Sequence, residues 1–340
     1  MSPSSRFLIG FFGGAVALIG VIALAFVGLD EAGRLKAPSF ANRLSFDEKL
    51  RHLRQHPVDG VEALAIGSST TLHGVDGAVL RRELGVRGDL LNLGVQDLRI
   101  NQIRFLADVF LPRFPKVDQV VMVSTTLDFK SCDDGDTQFF DPNHALDYLS
   151  GANEIYYYFK YLDLKGIFER ADQMRHLRSA SDDLESVSFD EYGSLLLEVP
   201  RERISDRVWF GDPITLDPSC YESLRALAED LRGKGVEFTY VMSPMRPGYL
   251  AGRDPGGALL AEHRRRLEAA LKETGAVLID AHAALNMPEE AFFDAYHLNR
   301  DEARQLTRFV TERLLASSQL PEERSTTPAA AQNPGPPAGT

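Results

Sequence analysis

The sequence predicts an α/β protein in which helices cover both faces of a parallel sheet, preceded by a membrane-spanning helix. Three observations predict this architecture. Apolar strand-like runs alternate with amphipathic helical runs over much of residues 45–316. The alternation lapses between about residues 130 and 215, which indicates an insertion. Residues 7–29 carry no charged side chain.

Composition narrows the possible partners. The chain has 340 residues, enough for one large domain or two ordinary ones. Its 49 acidic and 37 basic residues give a net charge of −12. Because this charge repels a phosphate backbone, nucleic acid is not predicted as a partner. Two cysteines cannot form a Cys-rich metal site, and His52 and His56, although four residues apart, have no third ligand evident nearby. Neither a metal nor another cofactor is therefore predicted.

The amino-terminal apolar run is predicted to be a transmembrane anchor over residues 7–29. Its 23 residues exceed the roughly 20 that cross a bilayer core as a helix. The alternative is a cleaved signal peptide, but its apolar stretch is usually about 7–15 residues, and the small residues Ala23 and Ala25 lie inside this run. The flanking charges do not decide the orientation. They are Arg6 on one side and Arg34, Lys36 and Arg43 on the other.

A linker over residues 30–44 leads into the alternating region, which spans residues 45–316. Its first helix, residues 45–56, has Ser45 and Glu48 in the spacing of a capping box. The predicted strands are residues 61–67, 88–94, 116–124, 236–243 and 276–280. The predicted helices between and after them are residues 75–84, 97–111, 217–235, 258–273 and 300–315.

The insertion at about residues 130–215 is interpreted as a cap, because long insertions in α/β folds commonly cover an active site. It contains a tyrosine-dense helix at residues 153–171. The aromatic side chains of this helix either stack on sugar rings or pack in the core or close to a membrane. The tail, residues 317–340, is rich in Pro, Ala, Gly and Thr and is predicted to be disordered.

Hydroxyl side chains follow the first predicted strand directly. Gly67 permits a tight departure from the strand, and Ser68 and Ser69 come next. The carboxyl ends of strands in an open parallel sheet are where ligands bind, so a hydroxyl is well placed there. The alternative is that these serines only cap the helix that follows.

Asp294 and His297 follow the last predicted strand and precede the last helix. A serine nucleophile needs an imidazole to take its proton, and the imidazole needs a carboxylate to fix its tautomer. The alternative is that Asp294 caps a turn and His297 only packs. Together with the serines, the pair predicts a Ser69, His297 and Asp294 catalytic triad.

These motifs resemble those of the SGNH/GDSL hydrolase superfamily. Gly67-Ser68-Ser69 is similar to its first block, and Asp294 with His297 is similar to its last. The resemblance implies a flavodoxin-like, three-layer sheet and an oxyanion N–H from Gly94. Two departures are visible: Ser68 replaces the usual Asp, and STTLD (124–128) replaces the Gly-x-Asn-Asp block. Ser68, Thr125 or Thr126, or backbone groups alone, are therefore expected to complete the oxyanion site.

With the anchor and the cap, the chain looks most like the envelope branch of that superfamily, the lipoteichoic acid D-alanyl transfer and alginate O-acetylation proteins. This implies a serine esterase or O-acyltransferase acting on acyl, especially acetyl, esters of a cell-envelope polysaccharide. It implies a single-pass protein of the cytoplasmic membrane with its catalytic domain outside, and a membrane-bound O-acyltransferase as a candidate partner. The rival is a degenerate, non-catalytic fold that binds glycan or scaffolds such an enzyme.

Two further features have open interpretations. Arg246 follows the fourth strand and either receives an anionic group or pairs with a surface acid. Cys132 and Cys220 flank the insertion and either form a bridge that limits its opening or stay separate thiols.

Overall fold

A computed structural model describes residues 2–56, 60–84, 89–132, 137–200 and 214–318. All five predicted strands are present and form one parallel sheet in the order β2-β1-β3-β4-β5. The predicted α/β fold class, with a three-layer parallel sheet, is confirmed. The strands are β1 (Val61–Ala65), β2 (Asp89–Asn92), β3 (Gln119–Ser124), β4 (Glu237–Met242) and β5 (Val277–Asp280).

Thirteen α-helices are present in the described ranges. The short helices α6 (Pro142–Leu149), α10 (Pro247–Arg253) and α12 (Ala281–Leu285) were not predicted, since few residues carry their pattern. The tyrosine-dense helix predicted at residues 153–171 is two helices, α7 (Glu154–Lys160) and α8 (Leu164–Leu177). The helices before the insertion are α1 (Pro3–Glu31), α2 (Leu44–Gln55), α3 (Ser69–Gly74), α4 (Gly77–Leu84) and α5 (Ile100–Phe110). The insertion has α6 (Pro142–Leu149), α7 (Glu154–Lys160) and α8 (Leu164–Leu177). The others are α9 (Pro218–Gly233), α10 (Pro247–Arg253), α11 (Ala258–Leu271), α12 (Ala281–Leu285) and α13 (Arg300–Ser318).

The two faces of the sheet contribute to separate cores, because successive side chains of a strand point to opposite faces. On β3, Val120 and Met122 pack on one face with α2, α5, α9 and α11. Val121 and Val123 pack on the other face with α4, α12 and α13. Strand order reverses at β1, whose neighbours are β2 and β3, and a ligand site is expected at such a switch point.

The apolar helix α1 covers the predicted anchor, and among the described residues it is the one helix long and apolar enough to span a membrane. A signal sequence has the same properties. The predicted linker is packed against the body. Glu48 accepts from the Ala37 N–H at 2.6 Å and binds Arg178, which also donates to the carbonyls of Gly33 and Leu35.

The predicted capping box at Ser45 and Glu48 is wrong. The helix begins one residue earlier, at Leu44, with Arg43 as its N-cap. The Ser45 hydroxyl accepts from the Gln96 N–H at 3.2 Å, while the Glu48 carboxylate binds Ala37 and Arg178. Tertiary partners therefore occupy both side chains that the local motif would have used.

A disulfide between Cys132 and Cys220 ties the two ends of the insertion together, with their Cα atoms 5.2 Å apart. The Cys132 N–H also donates to Asp217, the residue before α9, at 2.6 Å. Within the insertion, the helices are followed by an extended segment that reaches the sheet near α3 and α13. Most of the tail predicted to be disordered, from residue 319, lies outside the described residues.

Candidate active site

The turn after β1 holds Ser69 at the first position of α3. Thr71, the residue after Thr70 in α3, joins this turn to the sheet through hydrogen bonds. Its hydroxyl donates to the Val123 carbonyl at 2.7 Å and accepts from the Val123 N–H at 3.0 Å. A Cβ on Gly67 would lie 2.0 Å from Thr71 Oγ1, so only glycine permits this close approach. Ser69 is therefore placed at the carboxyl end of β1 by local packing.

The structure brings Ser69, His297 and Asp294 into one hydrogen-bonded chain. His297 Nε2 lies 2.8 Å from Ser69 Oγ, and His297 Nδ1 lies 2.8 Å from Asp294 Oδ2. Because a carboxylate can only accept, Nδ1 carries the proton and Nε2 accepts from the serine hydroxyl. Asp294 Oδ1 accepts from the N–H groups of Tyr296 and His297, both at 2.9 Å, which fixes the carboxylate.

For both His297 and Asp294, burial shifts the pKa in one direction and the charge of the partner shifts it in the other. All three residues are buried, and Ser69 is 7% exposed. Burial lowers the pKa of His297, but the neighbouring Asp294 carboxylate outweighs it, so that the pKa is raised. Burial raises the pKa of Asp294, and the charge and hydrogen bonds of His297 reverse this to a lowered pKa. Asp294 thus stays ionised and stabilises an imidazolium at position 297.

A second buried carboxylate, Asp128, lies beside the site in the turn after β3. Its Oδ2 accepts from Ser124 Oγ at 2.6 Å. Burial raises its pKa to about 6, against hydrogen bonds from Ser124 and Ser68 that lower it, and its charge contributes to the raised pKa of His297. Sequence reasoning did not single out Asp128. The signal was a carboxylate four residues after the last residue of a strand adjacent to β1.

His73, four residues after Ser69 on α3, is fully buried against the site. Its ring meets the His297 ring edge to face, with centroids 5.3 Å apart. Nδ1 donates to the Leu195 carbonyl at 2.7 Å, and Nε2 has no hydrogen-bond partner within the described chain. Burial, together with the nearby His297, lowers its pKa to about 3. His73 is therefore neutral, and its ring packs against the ring of His297.

Gly94, the expected oxyanion donor, packs directly on α3, the helix that begins at Ser69. A Cβ at this position would lie 2.6 Å from the Leu72 backbone nitrogen. The Gly94 N–H donates to Asn92 Oδ1 at 2.8 Å, and Asn92 Nδ2 donates to the Thr71 carbonyl at 3.1 Å. The Asn92 amide thus links the loop after β2 to α3.

The other candidate binding residues lie at the ends of neighbouring strands. Ser68 caps α3, its hydroxyl accepting from the Thr70 N–H at 3.3 Å. Thr125 caps the turn after β3 by accepting from the Leu127 N–H at 3.4 Å. The Thr126 hydroxyl is directed to the Met245 sulfur at 3.8 Å.

Arg246 has an acid partner, as one of its two interpretations expected. Its guanidinium pairs with Glu289, whose carboxylate also accepts from the Gly248 N–H at 2.8 Å. The Arg246 N–H donates to the Ala295 carbonyl at 3.1 Å. Arg246 thereby contacts the loop that carries Asp294 and His297.

The chain is similar in fold to solved hydrolase structures. One is assigned to the lipolytic G-D-S-L family, from Desulfitobacterium hafniense DCB-2, with 13% identity over 74% of this chain and 98% of that chain, at a TM-score of 0.37. Another is the lipase Lip_vut3 from a goat rumen metagenome, with 13% identity, 76% and 97% coverage and a TM-score of 0.38. A third is a catalytic mutant of Axe2, an acetylxylan esterase from Geobacillus stearothermophilus, with 15% identity, 76% and 95% coverage and a TM-score of 0.37.

No protein-family model and no curated protein matches the chain. The chemistry proposed below is therefore drawn from the geometry of this chain.

Proposed function

We propose that this protein is a membrane-anchored serine esterase or O-acyltransferase of the SGNH type that acts on acyl esters. The hydrogen-bonded chain from Ser69 Oγ through His297 to Asp294, with both distances 2.8 Å, carries the proposal. A nucleophile, a base and a group that orients the base are present in the order that acyl transfer requires.

In the proposed reaction, Ser69 Oγ attacks the ester carbonyl carbon while His297 Nε2 takes the hydroxyl proton. The carbonyl electron pair moves to its oxygen, and Asp294 stabilises the imidazolium. Collapse of this intermediate breaks the bond to the alcohol, which leaves with the proton from Nε2. Water or a sugar hydroxyl then attacks the acyl-serine by the same steps, which gives an acid or a new ester and restores Ser69.

The oxyanion that forms needs hydrogen-bond donors. The Ser69 N–H has no acceptor within the described part of the chain, so we assign it the first position. The Gly94 N–H is bonded to Asn92 Oδ1. The Thr125 hydroxyl accepts from the Leu127 N–H and has no acceptor of its own within the described ranges, whereas the Thr126 hydroxyl has a weakly accepting sulfur as its acceptor. We propose that one of these two threonine hydroxyls is the side-chain donor.

The substrate we propose is an acetyl ester of a cell-envelope polysaccharide. Only 7% of Ser69 is exposed, which favours a small acyl group over a long acyl chain. The apolar helix α1 supports a single-pass anchor. We propose that it crosses the cytoplasmic membrane, with the catalytic domain on the outer side, where an envelope polymer is found. The disulfide supports the same placement, because such bonds persist in oxidising compartments. A membrane-bound O-acyltransferase is the partner that this placement suggests.

The rival function, a degenerate fold that binds glycan or scaffolds an acyltransferase, requires no working triad. The hydrogen bonds among Ser69, His297 and Asp294 argue against it, because these three groups are aligned as acyl transfer requires. Full complementation in cells by a variant with all three residues replaced by alanine would favour the rival.

Labelling with a fluorophosphonate probe tests the proposal. We expect the purified full chain to be modified at Ser69, and Ser69→Ala and His297→Ala to lose the label. Ser179→Ala is the matched control, because Ser179 is an exposed serine bonded only to backbone carbonyls of α8. Equal labelling of the wild type and Ser69→Ala would contradict the proposed nucleophile.

A further inference from the structure

Outside α1, large apolar side chains are exposed almost entirely in one place. Six such residues are exposed in the described ranges beyond α1, and five of them lie between residues 155 and 168. We call these five the apolar patch: Ile155 (62% exposed), Tyr156 (53%), Phe159 (56%), Leu162 (49%) and Phe168 (55%). Such a concentration marks an interaction surface, whereas single exposed apolar residues are ordinary.

The apolar patch adjoins the last turns of α1. Tyr158, between two patch residues, packs edge to face on Phe26 with ring centroids 5.4 Å apart. A cavity of about 220 Å³ lies between the two helices, lined by Ile22, Phe26 and Val27 from α1 and by Ile155 and Phe159 from α7. The patch and the apolar surface of α1 therefore form one continuous surface.

Polar contacts fix this arrangement just beyond the end of the apolar stretch. Arg51 binds Asp30 at 2.8 Å, Lys36 binds Asp163 at 2.6 Å, and the Tyr158 hydroxyl donates to the Lys36 carbonyl at 2.8 Å. The position of the patch along the α1 axis is thus set by contacts between α1, the segment after it, and the insertion.

The position of the apolar patch along the α1 axis indicates what kind of surface covers the patch. Since a helix rises about 1.5 Å per residue, Ile22 to Val27 lie roughly 3–10 Å inward of Leu29, where the uncharged run ends. Helices at a membrane surface bury their apolar face to a depth of about 5–10 Å. If α1 spans a bilayer, Ile155 and Phe159 lie at that depth because they face the same turns.

From this geometry we infer that the apolar patch inserts into the lipid headgroup and acyl-chain boundary beside α1. The inference rests on the anchor in the proposed function. It makes the insertion a second membrane contact, which holds the catalytic body in one orientation against the bilayer. Tyr156 and Lys160 on the same helix are residue types that are enriched at such boundaries.

The accessibility of a nitroxide spin label tests this inference on the full chain, reconstituted into nanodiscs that contain lipid and no other membrane protein. The only two cysteines of the chain are joined to each other, so an introduced cysteine is the sole free thiol. We expect a nitroxide on Phe159→Cys to collide more often with oxygen than with a water-soluble nickel chelate. The order should reverse for Val277→Cys, the exposed apolar residue outside the patch (38% exposed).

A label on Leu18→Cys separates the two proposals. If position 18 is in lipid and position 159 behaves like position 277, the patch proposal is overturned, and the patch is left for a protein surface. If position 18 is itself accessible to the nickel chelate, the anchor fails, and the patch inference fails with it. The triad is measured independently by fluorophosphonate labelling, which neither result affects.

Discussion

At the scale of single residues, two buried carboxylates act on the His297 imidazole in different ways. Asp294 bonds to Nδ1 at 2.8 Å and fixes the proton there, whereas Asp128 contributes charge from the turn after β3. In the proposed reaction Asp128 therefore acts through its charge: it helps to raise the pKa of His297 and takes no proton from the substrate.

We expect Asp128→Asn to move the acidic limb of kcat/KM to lower pH. Catalysis needs His297 neutral, so the rate rises with pH through the pKa of His297, which the Asp128 charge helps to raise. The pKa of Asp128 is itself raised to about 6, so the effect belongs to the range above that pH, where its carboxylate is charged. The measurement is a pH profile of hydrolysis of a small acetyl ester.

Asp118→Asn provides the control, because Asp118 is an exposed carboxylate just before β3, at the amino end of the strand, whereas Ser69 and Asp128 follow the carboxyl ends of β1 and β3. A limb that moves to higher pH in Asp128→Asn, or one that does not move, would be incompatible with this role of Asp128.

Position 94 requires glycine, because the backbone of α3 lies too close to Gly94 to leave room for a side chain. A Cβ there would lie 2.6 Å from the Leu72 nitrogen and 2.8 Å from its Cα, and this backbone belongs to α3, which carries the proposed nucleophile. We expect Gly94→Ala to lower the free energy of unfolding by about 1–3 kcal/mol, as overpacking does, and to reduce labelling of Ser69. Urea denaturation in detergent measures the first effect.

Gly252→Ala is the paired control, since nothing lies within 4 Å of a Cβ at this position in α10. There the substitution should leave stability unchanged or raise it by about 0.5–1 kcal/mol. Equal stability of Gly94→Ala and the wild type would show that the loop after β2 does not press on α3.

At the scale of elements, the disulfide closes the insertion onto α9. Cys132 and Cys220 are 88 residues apart in sequence, so the bond removes much conformational freedom from the unfolded chain. We expect replacement of both cysteines by serine to lower the free energy of unfolding by about 2–4 kcal/mol. The wild type with reductant should match the variant, and identical urea midpoints for oxidised and reduced wild type would refute this expectation.

Local pattern predicted the strands and most of the long helices, because each is encoded by its own periodicity. It failed at Ser45 and Glu48, where distant partners, Gln96 and Arg178, take the side chains of an apparent capping box. The sequence also left the pairing of Cys132 and Cys220 open, since the distance between them depends on how the whole insertion folds.

The residues of the candidate site likewise fall into two groups: those that the sequence predicted and those that depend on the fold. Ser69, Asp294 and His297 stand in recognisable motifs, and the structure brings them together. Asp128 carries no motif and reaches the site because β3 lies beside β1, which is not local in sequence. His73 is near Ser69 because it lies four residues later on α3, but its burial depends on Leu195 of the insertion, which no local pattern shows.

At the scale of the whole molecule, the apolar helix α1 and the α/β domain are joined by packed contacts. If the substrate is an envelope polymer, the residues before α1 lie in the cytoplasm and everything after it lies outside. We expect alkaline phosphatase fused after residue 316 to be active, because this reporter folds only outside the cytoplasm. Fluorescence from a cytoplasm-only reporter at the same junction would reverse the orientation and remove the envelope substrate.

The central claim is that Ser69 carries the acyl group between donor and acceptor. Its most direct test is mass spectrometry of the full chain, rapidly quenched in acid during turnover of a small acetyl ester. We predict one added acetyl group, located on the peptide that contains Ser69, and no such adduct in Ser69→Ala. An adduct on another residue, or turnover by Ser69→Ala at the wild-type rate, would contradict the claim.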